Sequence, residues 1–392
     1  MDMAWTMVAE RMMRMPESGT VRISNLVSKL KGEGVEIISF SVGEPDFPTP
    51  DNICQAAIRS LNGHFTHYTP SAGIPELRKA VAEKSRKENG IPCEEQHVVI
   101  TPTKFAIFMS ILAMVDEGDE VVIPDPSWGT FEALVRFAGG VPKHVTLKAE
   151  EDYRMLPERV AEAITSKTRM ILTNSPSNPL GSILEKSDVQ GIADLAKDHD
   201  LVVLSDETYE KIIFEGRHYS FASLPGMFER TITINGFSKT YAMTGWRLGW
   251  VVAPPPMIKE INKLQTQSIT NATSFVQVAG VEALRGPQGS VQAMIEEFKA
   301  RRDLVFELMQ GIPRLHCPKP KGAFYMFPRY DLAMPSEDLT MHLLNEAHVA
   351  VTPGSTFGPA GEGHIRISYA ASRKDLKEGM HRIQRAMATL RA

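Results

Sequence analysis

The chain has 392 residues, 43% of them hydrophobic and 23% charged, with a formal net charge of -4. That length exceeds what one hydrophobic core fills, so two domains are expected, and the charge balance lacks the basic excess of a nucleic-acid surface. The cysteines, Cys54, Cys93 and Cys317, are odd in number and far apart, which argues against a disulfide framework or a cysteine zinc site and for a reducing, cytoplasmic setting.

The Met-rich start, Met1 to Met15, carries Asp2, Glu10, Arg11 and Arg14. These interrupt the apolar run that a signal peptide or membrane span needs and fit an amphipathic helix. Short runs rich in Val and Ile then recur, each closed by a turn and a stretch with helical spacing: 97–100, 120–123, 169–172, 201–204, 231–234 and 249–252. That rhythm is the signature of a mostly parallel sheet covered by helices on both faces. A charged helical pattern from Gly289 to Gln310 leads to short strands around Gly322–Met326 and Gly363–Ile367. The expected organisation is an N-terminal segment, 1–45, contributing to a small domain; a large α/β domain, 46–289; and a smaller α+β domain, 290–392.

Ligands of open α/β sheets bind beyond the carboxyl ends of the strands, so the residues that follow each apolar run carry the most information. After Leu172 comes Thr-Asn-Ser-Pro-Ser-Asn-Pro-Leu-Gly, ending at Gly181; after Leu204 come Asp206 and Tyr209; after Ile234 come Ser238 and Lys239. An amine, a carboxylate and hydrogen-bonding groups on one rim are what pyridoxal 5'-phosphate (PLP) asks of a protein: a Schiff-base lysine and an acid for the pyridinium nitrogen. A carboxylate beside the ring nitrogen keeps it protonated. Tyr209 and Asn178 are candidates for the cofactor's phenolate oxygen, and a displaced Lys239 can carry a proton. A lone lysine or aspartate after a strand is ordinarily a surface or turn residue; the stretch following Lys239 sets this pair apart.

Residues 236–249, Gly-Phe-Ser-Lys-Thr-Tyr-Ala-Met-Thr-Gly-Trp-Arg-Leu-Gly, closely resemble the PLP-attachment motif of class I aminotransferases of fold type I. Four further blocks resemble the same family in the same order: Ser41–Phe47, His67–Gly73 with Leu77-Arg78, Asn174–Gly181 and Ile365–Ala370. The resemblance implies a Schiff base at Lys239, Asp206 on the pyridine nitrogen, Asn178 and Tyr209 on the phenolate oxygen, and Arg247 on the phosphate. It also implies Trp128 stacked on the ring, and Arg366 clamping the substrate α-carboxylate together with Gly43 and Asn178. An arginine fork suits both anions. Tyr68 corresponds to a tyrosine that reaches the neighbouring subunit's cofactor, which implies a homodimer with shared active sites.

The phosphate cup departs from the family pattern. A Gly- or Ser-containing turn is replaced by Thr101-Pro102-Thr103-Lys104. Pro102 has no N–H but is tolerated in a first helical turn, so Thr103 and Lys104 become the expected donors. Gly236 stands where a serine is often found, with Ser238 as the expected compensation. In the bacterial and archaeal branch of the family that uses aspartate or prephenate, a cup lysine and an N-terminal hydroxyl contact the distal carboxylate; Lys104 and the Ser18-Gly19-Thr20 stretch occupy those positions. The expected reaction is therefore ping-pong transfer of the amino group of aspartate to 2-oxoglutarate, giving oxaloacetate and glutamate. Aromatic amino acids, alanine or prephenate as substrates, or a C–S lyase of the same fold, are the alternatives.

Other chemistries fit poorly. A P-loop ending at Lys239-Thr240 would need glycines where Thr233 and Ser238 stand, and His64-Phe65-Thr66-His67 lacks the spacing of a zinc hydrolase, so no metal site is expected. The residues before Pro16 are too few for a helix-turn-helix, and no nucleic-acid or membrane partner is expected.

Overall fold

The computed structural model describes residues 8–13, 15 and 19–390. Most of the expected N-terminal helix, Met1–Met7 and Arg14, lies outside the described residues, as does Ser18; a single helical turn is described at Glu10–Met13.

In chain order the first strand is β1, Ile38–Ser39. Next come β2 (Val98–Ile100), β3 (Glu120–Asp125), β4 (Val141–Thr146), β5 (Thr168–Asn174), β6 (Val202–Asp206), β7 (Thr231–Gly236) and β8 (Gly249–Val252). β2 to β8 form one seven-stranded sheet, ordered β2-β8-β7-β6-β5-β3-β4. It is mostly parallel, as the pattern of runs implies; β8 runs antiparallel to both its neighbours. Each of the six expected runs coincides with one of these strands, with His97 and Leu201 lying one residue before theirs. The seventh strand, β4, reads Val-Pro-Lys-His-Val-Thr at the sheet edge and was not among the expected runs.

Both faces of the sheet are buried, which is why its strands are apolar without alternation. Val121 and Ile123 pack into a cluster with Leu204 and Ile232, whereas Val122 points the other way, against Ile171 and Val203. In β8, Trp250 and Val252 face one cluster and Val251 another. Removing each such side chain from water contributes about 1.5–3 kcal/mol.

The remaining strands are short: β9 (Leu315–His316), β10 (Tyr325–Met326), β11 (Arg329–Tyr330), β12 (Val349–Ala350), β13 (Thr352–Pro353) and β14 (Ile365–Ser368). β14 is the centre of an antiparallel trio, β10-β14-β13. The helix Gly289–Gln310 has the bounds the sequence suggests, and Met294, Phe298, Val305 and Met309 from it join Phe324, Ile365 and Ile367 in a separate core. The N-terminal part returns to this C-terminal layer. β1 pairs in parallel with β12, and Ile23 and Val27, one turn apart on the helix Gly19–Gly32, pack with Leu344 and Ala350. No helix among the described residues is long and apolar enough to cross a membrane.

Candidate active site

β5, β6 and β7 are neighbours in the sheet, so their carboxyl ends meet at one rim. The register sets Asn174 opposite Asp206. β7 ends at Gly236, and the following turn of helix, Phe237–Thr240, presents Lys239. A cavity of about 390 Å³ opens over this rim. Thr20, Gly43, Thr103, Lys104, Trp128 and Asn178 line it, as do Asp206, Tyr209, Ser238, Lys239, Arg247 and Arg366. Every residue nominated from the sequence is therefore in one place except Tyr68, which stands away from the cavity and is 88% exposed.

The strap Ser41–Phe47 lines the cavity through Ser41, Val42 and Gly43, and its contacts account for its composition. The Ser41 carbonyl accepts from Arg366 Nη2 at 2.6 Å, and the Gly43 carbonyl from Lys239 Nζ at 2.5 Å. Glu44 accepts from Thr244 Oγ1 at 2.7 Å, and Asp46 from Arg301 Nη1 at 2.6 Å. One segment thus touches both Lys239 and Arg366 and both layers of the molecule.

Burial governs the electrostatics. It pushes the Lys239 amine down to about 8; Glu44 opposes this, while the charges of Arg366 and Arg247 add to it. Burial also raises the Asp206 carboxyl to about 6, against two hydrogen bonds that Thr208 donates to Oδ1, from its N–H at 3.1 Å and its hydroxyl at 2.5 Å. Lys104 stands at the exposed mouth with Nζ 4.8 Å from the centre of the Trp128 ring, and crowding by protein atoms, then the Arg247 charge, lowers its pKa. Arg247 is itself exposed at that mouth, held with φ 57 and donating to the Thr244 carbonyl at 2.7 Å. A non-glycine residue in that backbone region costs of order 1 kcal/mol, a strain of the kind that clusters at ligand sites.

Arg366 is 2% exposed. Its guanidinium lies between the rings of Tyr325 and Phe357, 4.7 and 4.9 Å away, and donates to Asn178 Oδ1 at 3.1 Å and Thr352 Oγ1 at 3.3 Å. Its Nε has no partner, and no carboxylate pairs with it among the described residues. Buried charges are normally paired, so this guanidinium has the capacity to take up an anion.

The cup turn differs from expectation in one respect. Pro102 is not in the first helical turn but precedes it as the N-cap residue, and the helix Thr103–Met114 starts at Thr103. Thr103 and Lys104 thereby supply its first free N–H groups. The space a side chain at residue 236 would need is taken by the Thr103 hydroxyl: a Cβ on Gly236, or on its strand partner Gly249, would overlap Thr103 Oγ1. Thr103 thus takes the space of a side chain at residue 236, and Ser238 lines the same cavity.

Lining residues not singled out from sequence include Tyr325, Thr208 and Asn174. Asn174 Oδ1 accepts from the Asn178 N–H at 2.9 Å and fixes the turn that carries that residue. Asn174 belongs to the block Asn174–Gly181 and could have been found there; Tyr325 carried no such signal. Behind the site, Glu207, Glu210 and His218 form the one trio of potential metal ligands among the described residues. Lys84 already supplies its cation, paired with Glu210. Burial pushes Glu210 up, but the charges of Lys84 and His218 outweigh this and hold it down at about 2.

Comparison with known proteins identifies the family. Residues 35–383 match the aminotransferase class I and II family. The chain is 44% identical to an aspartate aminotransferase of Pyrococcus abyssi, covering 90% of this chain and 92% of the relative. It is 43% identical to aromatic-amino-acid aminotransferase 2 of Thermococcus litoralis, over 91% of this chain and 93% of the relative. Among solved structures, aspartate aminotransferase from Thermus thermophilus with maleate superposes with a TM-score of 0.93 at 38% identity, covering 97% of this chain and 99% of that one. The chain belongs to the class I and II aminotransferase family.

Proposed function

We propose that the chain is a PLP-dependent aminotransferase that takes the amino group of aspartate and gives it to 2-oxoglutarate in two half-reactions at one site. The observation that carries the reading is Arg366: a buried guanidinium with no carboxylate partner among the described residues, in the same cavity as a lysine whose amine burial makes easier to deprotonate. Arg366 binds the α-carboxylate common to donor and acceptor, with Asn178 fixing the orientation of the guanidinium.

The residues present fit PLP. Bound there, it would supply an aldehyde that condenses with amines and a ring that accepts electrons from the substrate α-carbon. Arg247 and the N–H groups of Thr103 and Lys104 would hold the phosphate, Trp128 one ring face, and Asp206 a proton on the ring nitrogen. Tyr209 and Asn178 would donate to the ring oxygen. Lys239 Nζ, within reach of the Gly43 carbonyl, would hold and move the proton taken from the α-carbon.

For the substrate, Lys104 and Thr20 at the mouth favour a second carboxylate, and relatives named aspartate aminotransferase support the same choice. The aromatic relative and the apolar wall formed by Trp128, Val21 and Ile107 favour aromatic amino acids as secondary donors. A screen of amino acids in the first half-reaction separates the two. Aspartate and glutamate should lead, and Lys104→Ala should lower their kcat/KM by about 10- to 100-fold while costing phenylalanine little. Aromatic donors leading in the wild-type protein would overturn the choice of aspartate.

The assembly we infer is a homodimer with shared sites, in which the exposed Tyr68 is directed into a partner's cavity. Ile58, Leu61 and Phe65 in the same stretch of chain are also exposed apolar residues suited to burial there. Residues 46–289 are read as a large domain and 290–392, with 1–45, as a small one, in a cytoplasmic protein.

A further inference from the structure

Tyr325 lies where three parts of the site meet. Its ring packs 4.7 Å from the Arg366 guanidinium carbon, and its hydroxyl is 2.9 Å from that of Tyr209. A Cβ on Gly43 would come within 2.6 Å of the same hydroxyl, so the strap residue that accepts from Lys239 must be a glycine for Tyr325 to fit. The side chain is fully buried on β10, whose register sets it opposite Ser368, two residues beyond Arg366. Among the described residues Tyr209 is the hydrogen-bond partner of its hydroxyl.

Proton counting then constrains the pair. Each phenol has one proton to give. A Tyr209 hydroxyl that donated to Tyr325 would have none for the cavity, whereas one that accepts from Tyr325 keeps its own. The more acidic phenol of a pair is the better donor. Burial raises both and the Arg366 charge opposes the rise in both; for Tyr325 that charge is the largest influence after burial, whereas for Tyr209 the neighbouring Tyr325 and then the Asp206 charge add to the rise and outrank it.

We propose that Tyr325 is a positioning residue for the amino transfer: its hydroxyl donates to Tyr209 and so turns the Tyr209 proton into the cavity, while its ring face holds Arg366 at the angle that receives a carboxylate. One side chain thereby ties the substrate clamp to the group that serves the cofactor oxygen. The inference rests on the PLP aminotransferase reading.

The test compares Tyr325→Phe, which keeps the ring and loses the hydroxyl, with Tyr325→Leu, which loses both, in protein loaded with PLP. The first readout is the pH titration of visible absorbance, which reports the proton at the Lys239 nitrogen. A weakened donor to the negative ring oxygen favours keeping that proton, so both variants should raise the midpoint by about half a unit or more. The second readout is KM for aspartate: within about twofold of wild type in Tyr325→Phe and raised about tenfold in Tyr325→Leu, because only the latter removes the face beneath the cation. In a double-mutant cycle with Tyr209→Phe, the two shifts should not add, since Tyr325 acts through Tyr209. An unmoved midpoint in Tyr325→Phe, additive shifts, or equal KM values in the two variants overturns the proposal. Wild-type protein with no titrating absorbance overturns the PLP reading itself and the inference with it.

Discussion

The hydroxyl of Thr103 occupies the space that a side chain on Gly236 would need, although the two residues belong to different elements, a helix start and a strand end. The paired glycines Gly236 and Gly249 form the notch that receives it. Restoring serine at residue 236 should therefore damage the cup. Gly236→Ser is expected to weaken PLP binding by about tenfold or more, since overpacking forces neighbouring backbone to shift. The double variant Thr103→Ala with Gly236→Ser should recover most of that loss. Cofactor titration by fluorescence measures both, and a double variant no better than Gly236→Ser would show that the two residues do not share this space.

Asp206 costs stability in the cofactor-free protein. Its folded-state pKa, about 6, lies above the ordinary carboxyl value of 3.8. The folded state therefore binds more protons than the unfolded state between those values, and stability falls as pH rises through that window. At neutral pH Asp206→Asn should raise the stability of the cofactor-free protein by about 1–3 kcal/mol, while abolishing most transfer activity. Denaturant melts at pH 4 and pH 7 check the sign: the gain should be present at pH 7 and small at pH 4. A gain independent of pH would assign the effect to packing instead.

The Lys239 amine should become reactive at a lower pH than ordinary lysine. With its pKa at about 8 rather than 10.5, the free amine is substantially populated near pH 8. The rate at which cofactor-free protein takes up PLP into its visible-absorbing form should rise with pH to a midpoint near 8. Arg366→Met should move that midpoint upward, because the Arg366 charge is one of the influences lowering it. A midpoint near 10, or one unchanged by the substitution, would contradict this description of the pocket.

Chemistry carried at strand ends was legible in the sequence because it is local. Asp206 and Lys239 each follow an apolar run within a few residues, and adjacent parallel strands bring such positions to one rim. What escaped depended on distant pairing. β4 is an edge strand with Pro142, Lys143 and His144 in it and only part of its length buried, so it lacks the continuous apolar run of its neighbours. The Lys84–Glu210 pair joins residues 126 apart in the chain. Tyr325 reads as core in a short strand, and only the fold sets its hydroxyl against Tyr209. That the Thr103 hydroxyl fills the space beside Gly236, more than a hundred residues on, is likewise visible only in the fold.

The most direct test presents aspartate alone to the PLP-loaded protein and follows product with time. One oxaloacetate per site is expected, with conversion to the amine form of the cofactor and then arrest until 2-oxoglutarate is added; Lys239→Ala should show no turnover. Sustained release of ammonia or pyruvate from aspartate alone would contradict it, because the site would then be eliminating rather than transferring the amino group.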